Sequence, residues 1–111
     1  MKANGRIWIE AEDGTPLLGY GRIELLEKIH ELGSIRKAAL SMEMSYQQAW
    51  NLVNQMNTAS KLPLVISHKG GVGGGKAILT ESGLIYMSTF KNFNDFFQKF
   101  LSEQTDYFKK L

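Results

Sequence analysis

The feature that most limits how this chain can fold is a pair of short helical segments in residues 33–59, joined by a turn of three or four residues. Ser34 is a good N-cap for the first segment and Ser45 for the second, which runs from Tyr46 to about Ala59. The apolar positions are Ile35, Ala38, Ala39 and Met42 in the first segment and Ala49, Val53 and Met56 in the second. Small alanine side chains permit close approach, so the sequence predicts two helices packed across a tight turn.

Other periodic segments surround this pair. After Pro63, residues 64–68 and 76–79 read as two strands with a glycine-rich link, which predicts a hairpin. Residues 6–10 alternate before a turn at Asp13-Gly14 and Pro16, which predicts a short strand that can form half of another hairpin. Two more helices are predicted from apolar residues at spacings of three and four, a first ended by Gly33 and a fourth capped by Thr80. These apolar residues are Leu25, Leu26, Ile29 and Leu32 in the first and Leu84, Met87, Phe90, Phe93, Phe97, Phe100 and Leu101 in the fourth.

The order helix, helix, helix, hairpin, helix is typical of a winged helix-turn-helix domain. We expect a mainly α fold with a small β component (α+β), built from a three-helix core, a β-hairpin wing and a long C-terminal helix. At 111 residues the chain fits one domain, and we expect no second catalytic or ligand-binding domain in it. The N-terminal strand and turn would occupy residues 1–17, the helices and wing 18–80, and the last helix 81–111.

The composition excludes several classes of protein. Without any Cys, a disulfide framework, a thiolate zinc site and a cysteine nucleophile are all excluded. The hydrophobic fraction of 43% and the charged fraction of 22% lie near the globular average, which argues against disorder. No stretch approaches the ~20 apolar residues of a membrane span. We therefore expect an unexported, cytoplasmic protein associated with the nucleoid, with no membrane partner.

The formal net charge of +2 is unevenly distributed. Residues 1–32 carry a net charge of −2, residues 33–79 carry +4, and residues 80–111 are balanced. The basic residues of the middle part are Arg36, Lys37, Lys61, Lys69 and Lys76. Such an excess is the minimum that a phosphate-binding face requires, but an ordinary solvated surface explains it equally well.

The third helix presents amide side chains on its predicted outer face and has no charged residue between Ser45 and Ser60. These amides are Gln47, Gln48, Asn51, Asn54 and Gln55. An amide can pair with the N6 and N7 edge of adenine, and a good bidentate pair discriminates by about 1–3 kcal/mol. The second helix of such a pair lies in the major groove, so base contact is one interpretation and simple solvation of the surface is the other.

The glycine-rich link in residues 70–77 fits the first seven positions of the phosphate-binding pattern GxxxxGK. It fails at the eighth, because Ala77 replaces the Ser or Thr hydroxyl that would hold magnesium, and a strand follows instead of a helix. We therefore do not expect ATP hydrolysis there. As the tip of a wing the same residues would let backbone approach DNA while Lys69 and Lys76 neutralise phosphates; a flexible hairpin tip is the alternative.

The chain offers little chemistry beyond this. Tyr46 and Trp50 lie one helical turn apart and fit the edge of a core, although periodicity leaves the place of Trp50 open. His30 and His68 have no metal-ligand spacing, and we assign both to surface or hydrogen-bonding roles. With no catalytic constellation in the sequence, we expect a protein that is not an enzyme and that uses neither a cofactor nor a metal.

Several motifs together resemble the N-terminal DNA-binding domain of ModE, the molybdate-responsive transcription regulator, and more distantly the LysR-type winged helix. They cover about residues 4 to 90 and combine the SYxxAW pattern of residues 45–50 with a GGxGGG wing. The others are Gly33-Ser34-Ile35, Ala38-Ala39, Pro63-Leu64-Val65 and Leu79-Thr80-Glu81-Ser82-Gly83. The resemblance implies a bacterial regulator that binds duplex DNA as a homodimer.

The residues that we predict to contact DNA are Ser34, Arg36, Lys37, Ser45, Tyr46, Gln47, Gln48, Asn51, Lys69, Gly70, Gly71 and Lys76. Those that we predict for dimerisation are Leu25, Ile29, Phe90, Phe93, Phe97 and Phe100, although the aromatic stripe could instead close the domain's own core.

The chain ends at Leu111, where the family's molybdate-binding domain would follow, so we expect no molybdate binding by this chain. Many relatives carry basic residues where Gln47 and Gln48 stand, which leaves the operator open. Glu43 stands where relatives usually carry Gly in the turn, so either a left-handed residue there would be strained or the turn differs locally.

The main alternative belongs to another class of function. A winged helix can use the same face to bind a protein partner without reading DNA, because the fold alone does not fix the function.

Overall fold

A computed structural model describes residues 1–68 and 75–111 of the chain. Two strands, β1 (Ile9–Glu10) and β2 (Pro16–Leu18), come first. Three helices follow, namely α1 (Tyr20–Leu32), α2 (Ile35–Ser41) and α3 (Tyr46–Ala59). Strands β3 (Val65–His68) and β4 (Lys76–Leu79) precede the long helix α4 (Glu81–Lys109). This order confirms the predicted α+β class and the winged helix-turn-helix arrangement.

The local signals at the helix ends act as the sequence predicts. The hydroxyl of Ser34 accepts the backbone N–H of Lys37 at the start of α2, and that of Ser45 accepts the N–H of Gln48 at the start of α3. Gly33 ends α1 in the left-handed conformation, with φ 69°. The turn between α2 and α3 contains Glu43 at φ 55°, so of the two alternatives the left-handed one is observed, with a residue that carries a Cβ.

The core lies between α1, α2, α3 and the β3–β4 hairpin. Its fully buried large side chains are Leu25, Leu26, Ile29, Met56 and Leu64. Ala38, Ala39 and Ala49 are also buried, which fits the close approach of α2 to α3 that small residues allow. Because α3 enters the core through Ala49, Val53 and Met56, the opposite side of that helix is left facing outward.

The hairpin is tied to the helices by polar contacts. β3 and β4 pair antiparallel, with Val65 opposite Leu79 and His68 opposite Lys76. The N–H of Ala77 donates to the carbonyl of Gly33 at the end of α1, over 2.9 Å. Asn57 of α3 accepts the N–H of Leu64 at 2.8 Å and donates to the carbonyl of Val65 at 2.9 Å. The angle between α3 and the hairpin is therefore fixed by hydrogen bonds as well as by apolar packing.

The N-terminal part differs from the prediction in detail. Pro16 lies in β2, although the sequence pattern placed it in a turn, and α1 begins at Tyr20 after Leu18 has completed that strand. Before β1 the chain runs along α4, where the N–H of Ala3 donates to the Thr105 hydroxyl over 2.8 Å. Gly5 lies so close to Phe97 that a Cβ there would touch the ring.

Helix α4 is 29 residues long, and the molecule is elongated, measuring 62 × 29 × 21 Å along its principal axes. Its start is held at the hairpin, where the Thr80 hydroxyl accepts the N–H of Gly83 and donates to the carbonyl of Pro63. Phe90 enters the core and packs edge to face on Tyr20, with ring centroids 5.8 Å apart. Large aromatic side chains further along the helix remain exposed: Phe93, Phe96, Phe100, Tyr107 and Phe108.

Candidate nucleic-acid interface

All five amide side chains of α3 that the sequence placed on an outer face are exposed in the structure. We call this set, Gln47, Gln48, Asn51, Asn54 and Gln55, the amide face. The prediction that α3 presents these residues outward is confirmed, because the helix buries only its opposite, apolar side. The fold thus holds an uncharged, hydrogen-bonding surface where a winged helix places its recognition helix.

A cleft of about 430 Å³ lies between this helix, the start of α2 and the hairpin. Its lining residues are Ser34, Ile35, Arg36, Tyr46, Trp50, Ser67, His68, Gly75, Lys76 and Ala77. Predicted site residues from three separate elements therefore meet here. Their two cationic side chains, Arg36 from α2 and Lys76 from β4, are both exposed and can neutralise an anion in the cleft.

Arg36 is held in place by an aromatic ring. Its guanidinium carbon lies 4.7 Å from the centroid of the Tyr46 ring, within the range of a cation–π contact. The contact joins the exposed surface of α2 to the first turn of α3. Arg36 is thereby kept beside the amide face, and its charge stays at the rim of the cleft.

The remaining predicted residues have different surroundings. Lys37 is exposed on α2 outside the cleft lining, and the Ser45 hydroxyl is used in the cap of α3. Ser34 is buried and its hydroxyl is also engaged in capping, so this residue supports α2 from the cleft wall. The predicted wing residues Lys69, Gly70 and Gly71 lie outside the described residues.

Two hydrogen bonds order side chains on the amide face. Gln47 Nε2 donates to Asn51 Oδ1 over 2.9 Å, and Arg22 Nη2 of α1 donates to Gln55 Oε1 over 2.7 Å. Burial lowers the pKa of the Arg22 guanidinium from its usual value because the charged form loses water. Even so lowered, a guanidinium keeps its proton at neutral pH and remains a charged donor to Gln55.

The sequence left some lining residues unassigned. Trp50, whose place was open, is 42% exposed and lines the cleft, so it does not belong to the core. His68, which the sequence assigned to a surface or hydrogen-bonding role, is exposed and lines the cleft. Ser67 lines it as well, without any signal in the sequence beyond its place in the strand. The sequence analysis gave no role to Asn57, which holds β3 through its side-chain hydrogen bonds.

The predicted dimerisation set is wrong for three of its members. Leu25 and Ile29 are fully buried in the core and Phe90 is 3% exposed, so none of them can reach a second molecule. Phe97 is partly covered by the chain's own N-terminal segment at Gly5. The spacing of apolar residues identified the helix, but it could not tell which of its turns pack on the domain.

Nowhere in residues 1–68 and 75–111 do three His, Asp or Glu side chains gather where they could hold a metal ion. None of the helices described combines the length and apolar character needed to cross a membrane.

No protein-family model matches the chain. Its relatives include the molybdenum-pterin-binding protein MopA of Rhodobacter capsulatus, 40% identical over 77 residues, which are 69% of this chain and 29% of that protein. The molybdenum transport protein ModE of Azotobacter vinelandii is 40% identical over 78 residues, 70% of this chain and 28% of that protein. The DNA-binding transcriptional dual regulator ModE of Escherichia coli K12 is 45% identical over 62 residues, 56% of this chain and 24% of that protein.

These relatives confirm the resemblance that the sequence motifs indicated, and the name of the Escherichia coli protein describes it as a DNA-binding transcriptional regulator. The chain spans less than a third of the length of the curated relatives it matches. Among solved structures, a LysR family transcriptional regulator resembles it with a TM-score of 0.54 at 18% identity, over 70% of this chain and 25% of that one. At this identity the likeness bears on the fold alone, and it agrees with a winged helix.

Proposed function

The chain is a homologue of the ModE-type regulators with a winged helix-turn-helix fold, and from that premise we propose that it binds double-stranded DNA as a transcription regulator. One observation carries the proposal: the amide face of α3 is exposed beside a cleft with cationic side chains at its rim. In this arrangement α3 enters the major groove and the hairpin lies against the neighbouring backbone.

The side chains divide the work of recognition. Amides of α3 offer paired donors and acceptors to base edges, which distinguish one base pair from another. Arg36, Lys37 and Lys76 contact phosphates, which gives affinity without reading sequence. Lys69, Gly70 and Gly71 would continue the phosphate contact along the wing. Binding of this kind needs no catalytic step, and we assign the chain none.

Binding to a labelled random-sequence duplex at several salt concentrations tests this proposal. A protein that makes about four phosphate contacts has a slope of log affinity against log salt near −3.6. Affinity should therefore fall roughly 150-fold between 50 and 200 mM salt. Absence of salt-sensitive binding would reject the DNA proposal and favour the alternative, a winged helix that binds a protein partner through the same face.

We also propose that the regulator is a homodimer joined along α4. Exposed aromatic side chains recur there at Phe93, Phe96, Phe100 and Tyr107, on a helix that projects along the length of the molecule. Phe96 is 75% exposed, an unfavourable place for a large apolar ring unless a partner covers it. The sequence-based choice of Phe93 and Phe100 is retained here, and Phe96 replaces the buried Phe90.

We expect light scattering to give twice the chain mass of 12.5 kDa at micromolar concentration. Phe96→Glu should convert the dimer into a monomer, because the symmetric interface would otherwise bury two carboxylates. Leu40→Glu serves as the matched control, since Leu40 is equally exposed on α2, and its mass should remain that of the dimer. If the unmodified chain has the mass of a monomer, the proposed dimer is wrong.

A further inference from the structure

The hydrogen bond from Gln47 Nε2 to Asn51 Oδ1 distinguishes these two residues from the rest of the amide face. Both side chains are exposed and lie one helical turn apart. Their neighbour Gln48 is equally exposed but uses only its backbone N–H, which donates to Ser45 Oγ. Gln47 is therefore partnered by its own helix, whereas the Gln48 side chain has no partner within the described residues.

This bond orients the Asn51 amide and decides which of its donor and acceptor sites remain available to a ligand. An amide oxygen has two acceptor sites and an amide nitrogen has two donor hydrogens. Gln47 occupies one acceptor site of Oδ1, which leaves one acceptor and both donors of Asn51 available to a ligand. An acceptor and a donor side by side are the complement of the N6 amino group and the N7 atom of adenine.

The surroundings keep this arrangement in place. The backbone between the two residues is anchored in the core by Ala49, which is fully buried, and further along by Val53. No charged residue occurs from Ser45 to Ser60, so no carboxylate of this helix competes for the donor hydrogens of Gln47. Arg36, which lines the cleft beside the first turn of α3, is stacked on Tyr46.

We propose that Asn51 is the residue that reads adenine and that Gln47 is a positioning residue, which orients the Asn51 amide rather than contacting a base of its own. The inference rests on the proposed DNA binding and assigns a specificity to that site. It also changes the sequence-based expectation for Gln47, which treated both residues as direct contacts.

Binding-site selection from a random duplex library tests the assignment, using the unmodified chain, Asn51→Ala and Gln47→Met. Methionine keeps the length of glutamine but cannot donate. The unmodified chain should select adenine at one defined position, and Asn51→Ala should reduce that preference about 5- to 150-fold. Gln47→Met should reduce the preference at the same position about 2- to 10-fold, the effect of losing one orienting hydrogen bond. Gln48→Met, the matched control, should leave that position unchanged.

Two further readouts separate positioning from a general loss of structure. In the Asn51→Ala background Gln47→Met should cause no additional loss, because the residues act as a unit. Replacing the selected adenine by 7-deazaadenine, which lacks the N7 acceptor, should weaken the unmodified chain about as much as Asn51→Ala does.

If Gln47→Met changes a different position of the selected site, or if its effect adds to that of Asn51→Ala, the positioning role is wrong while DNA binding stands. If the unmodified chain binds no duplex from the library, both the proposed function and this inference fail. Circular dichroism of each variant confirms that these exposed substitutions leave the helices intact.

Discussion

Replacing Gly83 by alanine is expected to destabilise the protein severely. Gly83 lies in the first turn of α4, where a Cβ would overlap the backbone of Leu64, whose carbonyl oxygen faces it. That carbonyl accepts the N–H of Thr80, so it cannot move away without breaking the junction between the hairpin and α4. Overpacking against backbone costs on the order of 3 kcal/mol. The free energy of unfolding should fall by that amount in chemical denaturation, and Tm by roughly 12 °C or more.

Gly21→Ala is the matched control for this prediction. Gly21 also lies in the first turn of a helix, but a Cβ there meets no atom within 4 Å. Alanine should stabilise the protein at that site by about 0.5–1 kcal/mol, because glycine is the poorer helix former. If Gly83→Ala and Gly21→Ala shift the free energy of unfolding equally, the tight contact between α4 and Leu64 is not a determinant of the fold.

Removing the two cleft cations together is expected to give the largest loss of DNA affinity. Arg36→Gln with Lys76→Gln should lower the affinity for random duplex about 60-fold at 0.1 M salt. The slope of log affinity against log salt should become shallower by about 1.8, because two phosphates are no longer neutralised. The affinity and its salt dependence are both measured by titrating labelled duplex at several salt concentrations.

The control for this variant removes the same charge elsewhere. Lys99→Gln with Lys109→Gln takes two exposed lysines from α4 and leaves the cleft unchanged. Its slope should equal that of the unmodified chain. Equal losses in both double variants would mean that net charge, rather than the cleft, determines DNA affinity, and the assignment of phosphate contacts would be wrong.

Local sequence signals predicted the elements well because each depends on few neighbours. A hydroxyl residue before an apolar run caps a helix wherever the run packs, and Ser34, Ser45 and Thr80 all do so. The limits of α3 were predicted correctly for the same reason. The sequence placed the helical part from residue 18 onward, whereas α1 begins at Tyr20, because Leu18 pairs with β1 as the end of β2. The sequence indicated that a hairpin could form here but did not fix where its second strand ends.

Burial along α4 could not be predicted from periodicity. Phe90 and Phe93 occupy similar positions in the apolar repeat, yet Phe90 is buried against Tyr20 and Phe93 is exposed. Tyr20 packs on Phe90 and its hydroxyl donates to Asn94, one turn further along α4, so α1 covers the side of α4 that carries these two residues. Phe93 lies outside that contact, and which side of α4 meets α1 is a tertiary property. The path of residues 1–5 along the same helix is also a tertiary contact, and the spacing of residues could not predict it.

The candidate site was predicted in part. The amide face followed from helical periodicity once Ala49, Val53 and Met56 were assigned to the core. The cleft did not, because it depends on the angle between α3 and the hairpin, set by Asn57 and by the bond from Ala77 to Gly33. Trp50 and His68 join the site only through that angle.

Protection of a single thiol on the amide face tests the central claim most directly. The chain has no cysteine, so Asn54→Cys introduces one reactive group on an exposed position of α3, and Ser102→Cys introduces one on α4 as the reference. We expect saturating duplex to slow alkylation of the cysteine at position 54 at least tenfold, with salt restoring the rate, while the cysteine at position 102 reacts equally with and without DNA. Equal alkylation of the cysteine at position 54 in free and DNA-bound protein would contradict the placement of α3 in the groove.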